Sequence, residues 1–351
     1  MLLVNNSVSI FMGVKIAFIV CLGAFLAVSC NHNYPQGIDD GETCEICKLG
    51  EEMQLIGIPG AFDIVNDSLF VVSDNERVFL YNFSGEQKAQ IGNPGNARFE
   101  YIRPSSVCAD SDSIYVWSSA TMKFISYSID GKAGCEYEYS SAVQNFDVKG
   151  DSFWIYTAGR RGDNVLDCYS KRDRSIKGVG GTSIEHQVLS MNASASPFLV
   201  VENGVAFCTK DELSVSCYDE LSGQVVNREN FNSDSFTVDA LSDDALRMER
   251  AERSKYLRGN PLVLAVLPDG DGGYNILTLE GKTELAGGEI CNDSRYYGLY
   301  QKKKGKTVAR YISPQTFGYW HLMRVHDGEL FFIQNEIANQ SDVYKLCRFI
   351  K

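Results

Sequence analysis

Six copies of one short pattern recur along the chain, and they constrain its fold more than any other feature. Each copy sets an apolar, strand-like phrase after a small polar turn, and four of the six continue into a second phrase that ends on Tyr. The six apolar phrases are Leu69–Val72, Ile114–Trp117, Phe153–Tyr156, Val205–Cys208, Tyr274–Leu277 and Leu330–Ile333. A repeat spacing of roughly 40 to 50 residues is typical of propellers, solenoids and arrays.

The two phrases of a repeat predict two kinds of strand. Leu69–Val72 is apolar on both faces, which favours an inner strand covered by neighbouring blades, whereas Val78–Tyr81 is mixed and suits a middle strand. Closing six such units into a ring leaves no long free sheet edge. The sequence therefore predicts an all-β, six-bladed β-propeller over residues 53–351, in which Val343–Ile350 completes a blade with Met53–Ile58.

The N-terminal residues read as a targeting segment. Ile16–Val28 is an unbroken apolar and small-residue run after a lysine, too short to span a bilayer, so residues 1–29 are predicted to be a signal peptide. Met12 makes a more conventional start than Met1. Leu26–Cys30 resembles a bacterial lipobox, which predicts an acylated Cys30; an ordinary signal peptide with an incidental Cys is the alternative.

Residues 30–52 are predicted to be the acylated Cys and a flexible tether, because they hold too little apolar surface to pack. Cys44 and Cys47 form the chain's CxxC pair, without a second pair or nearby His for zinc and without a thioredoxin-like setting. The sequence leaves two alternatives for Cys44 and Cys47, a disulfide within the tether or two free thiols. The formal charge of −12 argues against nucleic acid as a partner.

One segment departs from the repeat. Asp239–Gly259 lacks strand character and has charged residues at helical spacing. Ser242 is suited to be the N-cap of a helix, and Gly259 is suited to end it. Arg247, Arg250 and Arg253 lie three residues apart. The segment is predicted to be a helix inserted between blades four and five. It is either a solvated, salt-bridged helix or a lid that presents a basic row over the propeller mouth.

The stretch Gly92–Pro104 is similar to the phrase Gly-Pro-Gly-Glu-Phe followed by Pro, although here Glu100 comes after Phe99. Through this stretch and the repeats, residues 53–351 resemble the NHL-like six-bladed β-propeller lipoproteins of Bacteroidales. The resemblance implies a location in the bacterial cell envelope and a binding role. It brings no catalytic residues to this chain.

Six-bladed propellers also include enzymes that hold Ca²⁺ or Zn²⁺ in the central channel, and hard cations need several oxygen ligands. Candidate oxygens are those of Asp63, Asn66, Asp147, Asp239 and Asn335, residue types that turns also favour. His186, His321 and His326 are scattered, and no hydrolase, phosphate-loop or zinc-protease motif occurs. No cofactor is therefore predicted, with Ca²⁺ left open, and a metal-dependent lactonase or lyase is the alternative function.

Three places stand out as binding surfaces, of which Lys302–Lys306 is a basic run around a glycine that is most simply a hairpin tip. Tyr319, Trp320 and His321 together can stack on sugars or aromatic ligands, or belong to an outer strand that packs on the next blade. Arg160 and Arg161 form a charged hairpin tip or a solvated turn. The function predicted is a monomeric lipoprotein, anchored at the outer membrane, that acts as a binding or scaffold module for a glycan, a peptide or a partner protein.

Overall fold

The computed structural model describes residues 37–49, 58–157, 164–191, 195–286, 289–317, 322–338 and 341–350. These residues form six antiparallel sheets of four main strands each, arranged as the blades of a β-propeller. The six-bladed propeller predicted from the repeats is confirmed.

The strands of each blade are given from the centre of the propeller outward. Blade 1 contains Ala61–Asn66, Leu69–Ser73, Val78–Asn82 and Gln87–Gln90. Blade 2 contains Pro104–Ala109, Ser113–Ser118, Lys123–Ser128 and Ala133–Glu138. Blade 3 contains Asn145–Lys149, Ser152–Tyr156, Asn164–Ser170 and Ile176–Gly181. Blade 4 contains Phe198–Val201, Gly204–Phe207, Ser214–Asp219 and Gln224–Asn230. Blade 5 contains Leu262–Pro268, Tyr274–Glu280, Tyr296–Lys303 and Lys306–Ile312. Blade 6 contains Met323–His326, Glu329–Ala338, Ser341–Phe349 and Thr43–Leu49.

The remaining elements lie between or beside the blades. Helix α1 spans Ile184–Ser190 and α2 spans Arg250–Gly259, with short 3₁₀ turns at Asp243–Arg247 and Pro314–Thr316. Short strands lie at Ile38–Asp39, Asn93–Pro94 and Glu100–Tyr101, and Thr283–Ala286 pairs with Glu289–Asp293 as a separate hairpin.

The repeated phrases are the second and third strands of the blades, so Leu69–Val72 is an inner strand covered by both neighbouring blades, as predicted, but it is not the innermost one. The innermost strand of blade 1 is Ala61–Asn66. The innermost strands of blades 1 and 3 carry polar residues in the channel, Asp63 and Asp147, and so lack the uniformly apolar pattern of the second strands. The innermost strand of blade 5, Leu262–Pro268, is apolar throughout.

The core consists of six apolar clusters, one between each pair of neighbouring blades. Between blades 2 and 3, for example, Phe124 stacks on Phe153 with ring centroids 4.5 Å apart, and Trp117 packs beside them. Each blade therefore depends on both neighbours for burial, and the ring must close for every cluster to be complete.

Thr43–Leu49 closes the ring. It pairs with the third strand of blade 6, with Thr43 opposite Phe349 and Leu49 opposite Tyr344. Cys47 and Leu49 are each only 6% exposed and pack in the cluster between blades 6 and 1. This corrects two expectations: the closing strand is Thr43–Leu49, and residues 43–49 belong to the sheet rather than to the tether. Residues 53–57 of the predicted partner Met53–Ile58 lie outside the described residues. Cys44 and Cys47 are free thiols.

Neighbouring strands run in opposite directions, so the connections after the second and fourth strands leave each blade on one side, here called the loop face. Helix α1 lies on this face between blades 3 and 4, and α2 lies on it between blades 4 and 5. The hairpin that begins with Thr283–Ala286 follows the second strand of blade 5 on the same face. The helix α2 lies in the segment predicted to be inserted, but Glu249 rather than Ser242 is its N-cap, in a capping box with Glu252.

Candidate functional site

The loop face carries a groove of about 950 Å³ between α2 and the strand Thr283–Ala286, here called the cap groove. The helix side presents Met248, Ala251 and Tyr256, and the hairpin side presents Lys282 and Thr283. This space can hold several residues of a chain-like ligand, since pockets for small molecules already take about 300 to 1,000 Å³.

The helix wall of the cap groove is fixed from below by Arg295. This side chain is only 8% exposed and donates to the carbonyl oxygens of Leu257 at 2.6 Å and Asn260 at 3.1 Å. It therefore satisfies carbonyls that the end of a helix leaves without partners, and its charge suits the negative end of the helix dipole. Desolvation lowers the pKa of Arg295 to about 10, so it remains a cation at neutral pH.

Further contacts hold α2 from its sides. The Asn260 side chain accepts from the Asp239 backbone N–H at 2.7 Å and donates to the Tyr256 carbonyl at 3.0 Å. The Tyr256 hydroxyl donates to the Asp239 carbonyl at 2.5 Å, and Leu257 packs on the core between blades 5 and 6. The cap groove is therefore built in advance of any ligand, and a preformed site loses less conformational entropy on binding.

The electrostatics of the cap groove are mixed. Lys255, Arg258 and Lys282 line it, and none of these three cations has an ion-pair partner within the described part of the chain. Asp239, Glu252 and Glu284 also line it, and Glu252 is already engaged in the capping box. Three available cations beside Met248, Ala251 and Tyr256 suit a ligand with both anionic and apolar groups.

Arg324, from the first strand of blade 6, extends into the central channel. Its guanidinium donates to three backbone carbonyls on other blades, those of Phe62 at 3.0 Å, Val107 at 2.6 Å and Phe146 at 3.3 Å. It also lies 3.6 Å from an Asp63 carboxylate oxygen. One side chain thus joins blade 6 to blades 1, 2 and 3.

A second carboxylate near the Arg324 guanidinium is that of Asp147, which is partly buried. Burial raises the pKa of Asp147, the nearby Asp63 carboxylate raises it further, and Arg324 opposes both effects. The Cys108 thiol donates to Asp147 Oδ1 at 3.3 Å. Cavities of about 40 and 30 Å³ remain beside Arg324, each with room for about one or two waters.

Of the five oxygen donors proposed from the sequence, the structure brings Asp63 and Asp147 together. Asn66 instead caps a turn by accepting from the Ser68 and Leu69 backbone N–H groups, and Asp239 lies in the cap groove. Asn335 lies in the second strand of blade 6, opposite Tyr344. Within the described ranges, no three His, Cys, Asp or Glu residues form a group that could hold a metal ion.

The histidines that the structure describes are far from one another, as the sequence indicates. His186 is buried at α1, where its Nδ1 accepts from the Lys210 backbone N–H at 3.0 Å. Desolvation, with Lys210 adding to it, lowers the pKa of His186 to about 3, which keeps the ring neutral at physiological pH. His326 lies at the opposite side of the propeller, beside Asp327.

The other site residues predicted from the sequence, namely Cys30, Arg160, Arg161, Tyr319, Trp320 and His321, lie outside the described residues. Their described neighbour Phe317 is fully buried, with its ring centroid 4.6 Å from that of Tyr297 and 5.0 Å from that of Phe332. Phe317 is therefore part of the core between blades 5 and 6 and not of a surface cluster.

Comparison with known proteins agrees with this architecture. The sequence signature of DUF5128, described as a 6-bladed β-propeller, matches residues 50–235, which is just over half of the chain. The chain belongs to this family. The match covers blades 1 to 4, and the sequence of blades 5 and 6 lies beyond it. No curated protein matches the chain.

Two solved structures have the same fold over nearly their whole length. One is a protein assigned to the exported proteins of Bacteroides fragilis NCTC 9343, with 15% identity and a TM-score of 0.61, covering 91% of this chain and 98% of the other. The second is a member of the DUF4221 family from Bacteroides vulgatus ATCC 8482, with 11% identity and a TM-score of 0.62, covering 90% and 97%. At these identities the likeness concerns the fold alone.

Proposed function

We propose that this protein is a lipid-anchored propeller of the bacterial envelope that binds an extended peptide segment of a partner in the cap groove. The observation that carries the proposal is that the groove is preformed by α2 and Thr283–Ala286, whereas Arg324 occupies part of the central channel and leaves only small cavities beside it. The propeller then acts as the scaffold and the inserted elements act as the binding site.

A peptide suits the cap groove better than a glycan does, because one wall is a strand with an open edge. Among the described residues Thr283–Ala286 pairs with Glu289–Asp293 alone, and residues 282–284 line the groove. An extended peptide can add a strand to such an edge and place its side chains in flanking pockets. Lys255, Arg258 and Lys282 favour acidic positions in that peptide.

The channel favours no second function. A lactonase or lyase site of the kind expected from the sequence needs a cation held by carboxylates and space for an organic substrate. Here a guanidinium already lies beside Asp63, and the two cavities next to it have room for water alone.

The cap groove is tested by selecting binders from a random peptide library with the mature chain. One variant, Ala251→Trp, fills the groove, and a second, Lys255→Glu with Lys282→Glu, reverses its charge. Each is expected to weaken the binding of the selected peptides at least about tenfold, which corresponds to a loss of about 1.4 kcal/mol of binding free energy. The affinities are measured by fluorescence anisotropy, alongside thermal unfolding of each variant.

Lys303→Glu is the matched control, because Lys303 is an exposed lysine of blade 5 that lies outside the cap groove. It is expected to leave peptide affinity unchanged. Selected peptides that bind Ala251→Trp as tightly as the unaltered chain contradict the proposal. A glycan-array ligand that is lost in Ala251→Trp, with no peptide selected, reassigns the groove to sugars.

The envelope location is supported by the lipobox-like Leu26–Cys30 and by the likeness to an exported protein. None of the helices that the structure describes is long and apolar enough to cross a membrane. Cys30→Ala is expected to abolish fatty-acid labelling and to move the protein from the membrane fraction to the soluble fraction. Unchanged labelling and fractionation contradict the lipid anchor and leave peptide binding untouched.

A further inference from the structure

The chain that leads from the predicted anchor is fixed to the outer edge of blade 5. Ile38 and Asp39 run parallel to Tyr311 and Ile312, in register with the outermost strand of that blade. The Asp39 carboxylate pairs with Arg310 at 2.6 Å, and the Asp39 carbonyl accepts from the Ser313 backbone N–H at 2.8 Å. The tether therefore leaves the propeller at one defined place.

The path after Asp39 is equally constrained. Gly41 passes between blades 5 and 6, where an added Cβ would lie 2.9 Å from both Ile312 and Phe349. From Cys30 to Ile38 the chain has eight residue steps, which span at most about 28 Å when fully extended. A lipid on Cys30 would therefore keep the outer edge of blade 5 close to the membrane surface.

This same edge carries an unpaired basic cluster. Lys303, Lys304 and Lys306 are exposed at the turn between the third and fourth strands of blade 5, and none has an ion-pair partner among the described residues. Val308, 42% exposed, follows two residues after Lys306 and thus lies on the same side of the outermost strand. Lys306 is five residues along this strand from Tyr311, or about 17 Å from the tether.

We propose that Lys303, Lys304, Lys306 and Val308, here called the blade 5 rim, form a docking surface for anionic phospholipid headgroups. The proposal rests on the lipid anchor proposed above, which brings this edge to the membrane. Lysine clusters near a bilayer are attracted by anionic lipids, and a short exposed apolar side chain can enter the interface. The chain as a whole carries a formal charge of −12, so overall charge alone opposes such binding.

Docking through the rim has a consequence for the cap groove. The rim is the outer edge of the propeller, and the groove lies on the loop face, so edge-on docking leaves the groove open to a partner beside the membrane. The acyl chain supplies one membrane signal and the rim supplies a second. Durable attachment usually requires two such signals.

The test uses non-acylated protein, residues 31–351, which contains every described element of the propeller. Its binding to vesicles of phosphatidylethanolamine and phosphatidylglycerol is compared with binding to phosphatidylcholine vesicles by co-sedimentation. Binding to the anionic vesicles is expected to fall with added salt. The triple variant Lys303→Ser, Lys304→Ser, Lys306→Ser is expected to bind them about 30-fold or more weakly.

The matched control is Arg250→Ser, Lys255→Ser, Lys282→Ser, which removes the same charge from the loop face. It is expected to keep vesicle binding, and the rim variant is expected to keep peptide binding in the cap groove. No preference for anionic vesicles, or an equal loss in both triple variants, overturns the rim proposal. Full inhibition by millimolar inorganic phosphate also overturns it, in favour of a phosphate site. Because no acyl chain is present, these outcomes are independent of the Cys30 result.

Discussion

A chain that begins at residue 50 is expected to lose cooperative folding, whereas a chain that begins at Gly37 is expected to fold like the whole protein. The shorter chain lacks Thr43–Leu49 and with it the buried Cys47 and Leu49, whose burial alone contributes about 4 kcal/mol. It also exposes the cluster between blades 6 and 1 and frees a sheet edge. Urea unfolding followed by tryptophan fluorescence measures the difference.

Point variants separate the loss of the strand from the loss of chain length. Leu49→Asp in the full chain is expected to destabilise nearly as strongly as the truncation, because it buries a carboxylate in the same cluster. Thr43→Asp, at an exposed position of the same strand, is expected to change stability by less than about 0.5 kcal/mol. If the chain from residue 50 unfolds at the same urea concentration as the chain from Gly37, the ring closes without this strand.

The sequence could predict the blades because their second and third strands are read from local pattern alone. Leu69–Ser73 and its counterparts are apolar on both sides, and short turns join them to the next strand. The outermost strands have no such pattern: Ala133–Glu138 and Gln224–Asn230 are mostly exposed, so burial imposes little on their composition. The closing strand Thr43–Leu49 does alternate polar and apolar residues, and this alternation was the signal available inside a polar stretch.

Part of the candidate site was also predictable from local sequence pattern. The interruption of the repeat by Asp239–Gly259 located α2, which forms one wall of the cap groove. The other wall was missed because Thr283–Ala286 looks like one more blade strand, and Gly281-Lys282 looks like the turn of a degenerate repeat. The basic row expected on the helix is also different: Arg253 donates to the Met248 carbonyl at 2.6 Å, and the groove cations are Lys255, Arg258 and Lys282.

Arg324→Met is expected to destabilise the propeller by about 3 to 5 kcal/mol. Sequence analysis could not single out this residue, because one arginine in a short strand forms no pattern. The variant removes the donors to the carbonyls of Phe62, Val107 and Phe146, and it leaves the buried Asp63 and the partly buried Asp147 without their cation. Urea unfolding at pH 7.5 measures the loss.

The pH dependence distinguishes the charge of Arg324 from its packing. The folded-state pKa of Asp147 is already raised, and loss of the guanidinium that lowers it will raise it further. A carboxyl group whose pKa is higher in the folded than in the unfolded chain costs stability as pH rises above the unfolded value, about 3.9. The deficit of Arg324→Met relative to the unaltered chain is therefore expected to be smaller at pH 4.5 than at pH 7.5.

Arg310→Met provides the matched control for this measurement, since Arg310 pairs with Asp39 at the partly exposed outer edge of blade 5. An ion pair with that exposure contributes about 0 to 1 kcal/mol, and its loss should show no comparable pH dependence through Asp147. If Arg324→Met instead matches Arg310→Met in stability and binds Ca²⁺ stoichiometrically, the guanidinium occupies a cation site rather than joining the blades. The channel would then again be a candidate for metal-dependent chemistry, because Asp63 and Asp147 would be free to act as ligands.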